Sequence, residues 1–329
     1  MSATATGRAI GVTGANGFVG RAVLRAIAED GGRAVALVRD ANAVGALRQP
    51  DVRAVGAIDG RTDWRAALDG CSAVVHCAAR VHVMRDTAAD PLDAFRTVNR
   101  DGTRRLAESC AGAGVGRLIV VSSVKVNGEA TPFDPASGMG TPYTATDQPA
   151  PDDPYAISKY EAEEAAKTIA DETGLEVCII RPPLVYGPGA GGNLERLLRL
   201  VRAGLPLPFG AIRNRRSLIG IRNLADLLVH AASRDTPVGG VFLASDGEDV
   251  STPDLVRHMA RALGRPARLV PVPVAFLKAV AGLTGRGADI ERLTGSLQVD
   301  SGPLVSTLGW RPPQTLEAGL RAMAGEAES

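Results

Sequence analysis

Residues 10–20, Ile-Gly-Val-Thr-Gly-Ala-Asn-Gly-Phe-Val-Gly, restrict this chain more than any other stretch. Three glycines, Gly14, Gly17 and Gly20, stand between an apolar run (Ala9, Ile10, Val12) and apolar residues at helical spacing (Phe18, Val19, Ala22, Val23, Ala26, Ile27). A strand, a tight turn and a helix start form a phosphate cradle. The first amides of a helix have no intrahelical partners and point at an anion, which the helix dipole also favours. Gly14 permits the turn, Gly17 lets backbone approach a pyrophosphate, and Gly20 lets helix and strand pack closely.

The rest of the chain continues the alternation. Strands are predicted at Arg33–Val38, Val52–Ile58, around Val74 and Val75, at Val115–Val121 and at Val177–Ile180. Helical patterns fall at Trp64–Leu68, Pro91–Cys110 and Pro154–Thr173. Alternation over this length implies an α/β fold, a doubly wound parallel sheet. At 329 residues there is room for a smaller second domain. We expect residues 1–185 to form the dinucleotide-binding domain and 186–217 with 246–329 the substrate domain, the chain returning to the first around 218–245. The stretch from Asn127 to Pro154, with little periodicity, has the length of a functional loop.

Composition removes several function classes. A net charge of +1 gives no field to gather nucleic acid or an anionic membrane. Val270–Leu283 is too short to span a bilayer and is broken by Pro271 and Pro273. Cys71, Cys77, Cys110 and Cys178 lack metal-ligand spacing and read as buried, reduced thiols. The polar leader Met1–Gly7 has no secretory core, so a cytoplasmic protein is expected.

Tyr155 and Lys159 lie one turn apart on one face of a predicted helix. A free tyrosine, with pKa about 10, is a poor acid–base near neutrality, and a nearby ammonium stabilises its phenolate. Ser123 falls just past the fifth strand, at the carboxyl edge of the sheet. There a hydroxyl can hydrogen-bond an oxygen that gains or loses a proton during hydride transfer. No Gly-x-Ser-x-Gly elbow is present, which argues against serine hydrolysis.

Thr13-Gly14-x-x-Gly17-x-x-Gly20, His76-x-Ala78-Ala79, Asn99, Ser123, Tyr155-x-x-x-Lys159 and Arg181-Pro-Pro-Leu-Val-Tyr-Gly-Pro-Gly189 together resemble the extended short-chain dehydrogenase/reductase family. Within it the likeness is to the epimerase, dehydratase and ketoreductase branch that acts on nucleotide-linked sugars. The resemblance implies a Rossmann domain, a nicotinamide cofactor, Tyr155 as acid–base, Lys159 on the nicotinamide ribose and Ser123 on the reacting oxygen. It puts Gly14, Asn16, Gly17, Phe18 and Val19 at the cofactor phosphates, and Ile58 with Asp59 near the adenine. Cys77, Ala78, Ala79, Asn99, Val121 and Ser122 line its path. Pro182, Leu184 and Val185 fall beside the nicotinamide. His82, Val124, Lys125, Asn193 and Arg216 are implied on the sugar-nucleotide side, Arg216 at the diphosphate. Asn193 also reads as a helix N-cap. The family's pairing helices correspond to 91–110 and 155–173, which implies a homodimer.

Two departures matter. The third strand reads Gly56-Ala57-Ile58-Asp59, without the family's usual acid, so Asp59 is only a substitute. The second ends in Arg39 followed by Asp40. A carboxylate at that edge binds the ribose hydroxyls of NAD, whereas an arginine accommodates the phosphate of NADP. With Arg39 as the edge residue, NADP is favoured over NAD. The first functional expectation is therefore reduction of a UDP-linked 4-keto-6-deoxy-hexosamine at C4, as in bacterial members that make surface-polysaccharide precursors. The alternatives are a UDP-hexose 4-epimerase (glucose or N-acetylglucosamine type) with bound NAD, and a non-catalytic cofactor sensor. A 4,6-dehydratase is disfavoured, because Val124-Lys125 stands where that subclass carries Asp-Glu.

Overall fold

The sequence alternation is realised as a sheet whose strand order reverses beside the glycine turn. The structure, a computed structural model, describes residues 9–40, 51–81, 90–134, 139–283, 285 and 287–325. The chain runs β1 (Ala9–Thr13), α1 (Phe18–Glu29), β2 (Arg33–Val38), β3 (Val52–Ala54) and β4 (Cys71–His76). Helix α2 (Pro91–Arg96) passes through a π-helical turn at Thr97–Asp101 into α3 (Gly102–Gly112), then β5 (Arg117–Val121). After β6 (Phe133–Asp134) and β7 (Met139–Gly140), which pair antiparallel, come α4 (Pro154–Thr173), β8 (Glu176–Arg181), β9 (Leu184–Tyr186) and α5 (Asn193–Arg202). β10 (Arg216–Gly220), α6 (Ile221–Ser233), β11 (Gly240–Leu243) and β12 (Asp249–Val250) follow. The chain ends in α7 (Thr252–Ala262), α8 (Val274–Leu283), α9 (Gly287–Thr294), α10 (Gly302–Ser306) and α11 (Leu316–Met323).

The large sheet has the order β11-β8-β5-β4-β1-β2-β3, parallel throughout. The chain winds outward from β1 in both directions, so a crevice opens at the carboxyl ends of β1 and β4. Both faces are covered, and alternate side chains enter opposite cores. Ile119 and Ile180 face Leu24, Ile27, Leu224 and Leu228 of α1 and α6. Leu118 and Ile179 face Leu106, Cys110 and Ile169 of α3 and α4. A small mixed sheet, β12-β10-β9, packs with α5, α7 and α11 over a third core.

Three expectations are corrected. The third strand stops at Ala54 rather than Ile58: Val55 still donates to the Val38 carbonyl at 2.8 Å, but Gly56 then turns away at φ +72°. Trp64–Leu68 forms a single turn closed by Leu68 N–H on the Trp64 carbonyl at 2.9 Å, not a helix. The stretch from Pro91 is interrupted by the π-helical turn, so it is two α-helices rather than one.

Candidate active site

The glycine turn is built as its spacing requires. Gly14 has φ +62°, and a Cβ there would stand 2.8 Å from the Ala78 amide nitrogen. Gly17 N–H donates to the Gly14 carbonyl at 2.8 Å, and Gly17 itself caps α1 with extended backbone. A Cβ on Gly20 would lie 2.2 Å from the Gly14 carbonyl oxygen, so helix and turn touch backbone to backbone. The α1 amides, starting at Phe18 and Val19, thus open at the sheet edge with Cys77, Ala78 and Ala79 alongside, just beyond β4. Asn16 is exposed in the turn. A cradle that closes if a Cβ is added at Gly14 or Gly20 fits a dinucleotide pyrophosphate.

Around the cradle, the expected cofactor residues hold distinct positions. Arg39 and Asp40 are exposed directly beyond β2. Asp59 is half-buried; its Oδ1 accepts the Arg61 amide at 2.7 Å, and its own amide donates to Thr62 Oγ1 at 2.9 Å. Ile58 packs against Gly102 closely enough that a Cβ there would stand 2.6 Å from it. Asn99, in the π-helical turn, is buried and bidentate to backbone. Its Oδ1 accepts Arg80 N–H at 2.8 Å while its Nδ2 donates to the Arg80 carbonyl at 3.0 Å and Ser158 Oγ at 2.9 Å. It therefore anchors the segment after β4 to α4. His82 lies outside the described residues.

Ser123, Tyr155 and Lys159 come together at the carboxyl end of β5. Asp153 caps α4 by accepting the Ala156 amide at 2.7 Å, and Pro154 occupies the first turn, which sets the helix start beside the sheet. Ser123 begins a short 3₁₀ turn and hydrogen-bonds Tyr155. Phe95 of α2 meets the Tyr155 ring edge-on, centroids 6.1 Å apart. Burial and the Asp153 carboxylate push the Tyr155 phenol up to about 12, against the opposing hydrogen bond from Ser123. Lys159 is 1% exposed and donates to the Val121 carbonyl at 2.7 Å. Burial brings it down to about 8, against the opposing charge of Glu163. His76 is buried between Thr13 and Thr103; desolvation and Lys159 push it down to about 3, so it is neutral.

Facing these groups is a cleft of about 410 Å³ between the two sheets. Val124, Lys125 and Leu184 line it with Ser123 and Tyr155, as do Asn193, Arg216 and Arg292. Pro182 and Val185 lie at the end of β8 and in β9, next to Leu184. Lys125 Nζ is held by Glu129 and Asp153, each at 2.5 Å. Arg216 Nη1 donates to the Arg292 carbonyl at 2.8 Å and the Gly295 carbonyl at 3.1 Å, so the carbonyl end of α9 fixes this guanidinium. Arg213 and Arg215 point to solvent. The N-cap reading of Asn193 does not hold: Gly192, at φ +77°, is the cap and Asn193 the first helical residue, which leaves its side chain on the cleft. Arg292 and Glu129 were missed from sequence. Glu129 closes the Val124-Lys-Val-Asn-Gly-Glu129 stretch but carried no role in it, and Arg292 sits in no motif and meets Arg216 across 76 positions.

The family model described as "NAD dependent epimerase/dehydratase family" matches residues 10–244. A Vibrio cholerae protein named UDP-glucose 4-epimerase is 46% identical over 271 residues, 82% of this chain and 81% of that one. A Caulobacter vibrioides ceramide reductase is 31% identical over 270 residues, 80% of this chain and 73% of that one. UDP-glucuronic acid 4-epimerase from Bacillus cereus, solved with NAD, shares the fold at TM-score 0.74 and 19% identity, covering 96% and 97% of the two chains. No described helix is long and apolar enough to cross a membrane. The chain belongs to the NAD dependent epimerase/dehydratase family.

Proposed function

We propose that this protein is a 4-epimerase of a UDP-linked hexose, in which Tyr155 moves the proton of the C4 hydroxyl. The observation that carries the reading is the cleft itself: one cavity is lined both by Ser123 and Tyr155 and by the guanidinium groups of Arg216 and Arg292, the set a sugar diphosphate requires. The first expectation, reduction of a 4-keto sugar, gives way to the epimerase because the Vibrio cholerae relative carries that name over most of both chains.

The glycine turn and the α1 N-terminus would hold the cofactor pyrophosphate, with Leu184 and Val185 beside the nicotinamide and Lys159 on its ribose. The nicotinamide supplies the hydride acceptor and donor. Tyr155 takes the C4 hydroxyl proton as hydride leaves and returns it to the alkoxide afterwards. Ser123 holds the C4 oxygen throughout. Burial and Asp153 raise the cost of the Tyr155 phenolate and the Ser123 hydrogen bond lowers it; an ammonium at Lys159 would favour the anion further. Arg216 and Arg292 grip the diphosphate and leave the sugar free to present either face.

The reductase remains the second reading, favoured by Arg39, exposed where a 2′-phosphate would sit. Incubating the protein with UDP-galactose and no added cofactor tests the first reading through formation of UDP-glucose. Stoichiometric consumption of NADPH with a UDP-4-keto-6-deoxy-N-acetylhexosamine, without any epimerisation, would replace it by the second. Arg39→Ala should weaken NADPH about tenfold or more while leaving NADH nearly unchanged, and equal losses reject the NADP preference. A homodimer through α3 and α4, checked by light scattering, and a cytoplasmic location suited to four free thiols complete the proposal.

A further inference from the structure

Glu163 is a carboxylate with 0% exposure, one turn beyond Lys159 on α4, and the chemistry above does not use it. Its Oε1 accepts the Ser122 hydroxyl and Arg181 Nε, the latter at 2.9 Å; its Oε2 accepts Arg181 Nη2 at 2.5 Å. Arg181, the last residue of β8, donates through Nη1 to Asn127 Oδ1 at 2.9 Å. Ser122 stands between two residues that the site depends on. The Val121 carbonyl takes Lys159 Nζ, and Ser123 bonds Tyr155. One carboxylate thus ties α4 to the ends of β5 and β8 where the three reacting groups converge.

We infer that Glu163 is a positioning residue: through Ser122 and Arg181 it fixes backbone 121–123 against α4, and its charge keeps Lys159 an ammonium. The inference rests on the reading of Ser123, Tyr155 and Lys159 as the reacting group. Stability does not explain the pair, since a buried ion pair is often matched or bettered by apolar residues of the same volume. Nor do the other groups around Lys159 supply an anion among the described residues. His76 and Tyr155 are neutral, the Cys77 thiol is pushed up to about 12 by burial, and Arg181 is itself cationic. Glu163 is the carboxylate whose field supports the Lys159 charge.

Two variants test this, read by kcat, KM and the pH dependence of both turnover and NADH affinity. With Glu163→Gln the alkaline loss should begin about one pH unit lower than in the unaltered protein. Ser122→Ala, which leaves both charges in place, should lower kcat about tenfold with KM for the sugar and the alkaline midpoint unmoved. An unmoved midpoint with a uniform loss in Glu163→Gln overturns the electrostatic role, and an unaltered kcat in Ser122→Ala overturns the positioning role. Should Glu163→Gln not fold, Ser122→Ala decides the positioning role, and the double variant Glu163→Leu with Arg181→Met, which removes both partners of the buried pair, is read for the same alkaline midpoint in its place. Tyr155→Phe run in parallel separates the two levels: full activity there sinks the reading of the reacting group, whatever Glu163 does.

Discussion

The two sides of the cleft are built by different means. The cofactor side is a matter of backbone: Gly14, Gly17 and Gly20 touch through main-chain atoms, and there is no room for a side chain at Gly14 or Gly20. The substrate side is a matter of side chains brought from distant segments, Lys125 from beyond β5, Arg216 from β10, Arg292 from α9. A backbone cradle tolerates almost no change and serves one shape of ligand. A ring of side chains can be retuned one residue at a time. On the proposed function, this difference would put substrate choice in the side chains around the cleft rather than in the glycine turn.

The contrast can be broken where the sides meet. Tyr155→Phe should lower kcat by about 10²–10⁴ with cofactor affinity retained, measured by turnover and by NADH titration. An effect on binding alone would place Tyr155 with the cradle. Arg292→Ala should raise KM for the UDP-sugar about 10- to 100-fold, the worth of a charge-assisted contact, without weakening NADH. Equal losses for both ligands would erase the distinction between the two sides. Gly20→Ala should destabilise the protein by about 1–3 kcal/mol, seen as a lower denaturation midpoint, because its Cβ meets the Gly14 carbonyl. A neutral result would show that the cradle has slack.

The smallest expected effect is in pH. Lys159 is brought down to about 8 from an ordinary 10.5, so it acts as a cation below about 8. Turnover should therefore fall as pH rises through that value. Stability moves the other way: between about 8 and 10.5 the unfolded chain binds the proton that the folded chain has lost, so stability should rise with pH there. Denaturant titrations at two alkaline pH values, set beside the rate profile, check the opposing signs.

The cradle and the Tyr155–Lys159 pair were legible because each depends on neighbours in sequence. Glycine spacing reports turn geometry, and a separation of four reports one helix face. Arg292 was illegible for the converse reason, since its contact with Arg216 exists only once α9 has folded against β10. The third strand was over-read because apolar Val55 and Ile58 continue the pattern beyond Ala54, although the backbone turns at Gly56. The Pro91–Cys110 stretch looked continuous because Leu92, Phe95, Val98, Gly102 and Leu106 keep spacings of three and four, so the pattern does not mark the extra residue.

The π-helical turn at Thr97–Asp101 holds one residue more than a turn of the α-helices on either side of it. Removing one residue from 97–101 would let a regular helix re-form, and every side chain on one side of the deletion would swing by about 100° relative to the other. Asn99 would then lose Ser158 and the Arg80 backbone, or Phe95 would lose Tyr155. The turn works as a phase shifter: it lets one helical stretch present Phe95 to the Tyr155 ring and Asn99 to the chain beyond β4, two directions that a regular helix of the same length would not serve together.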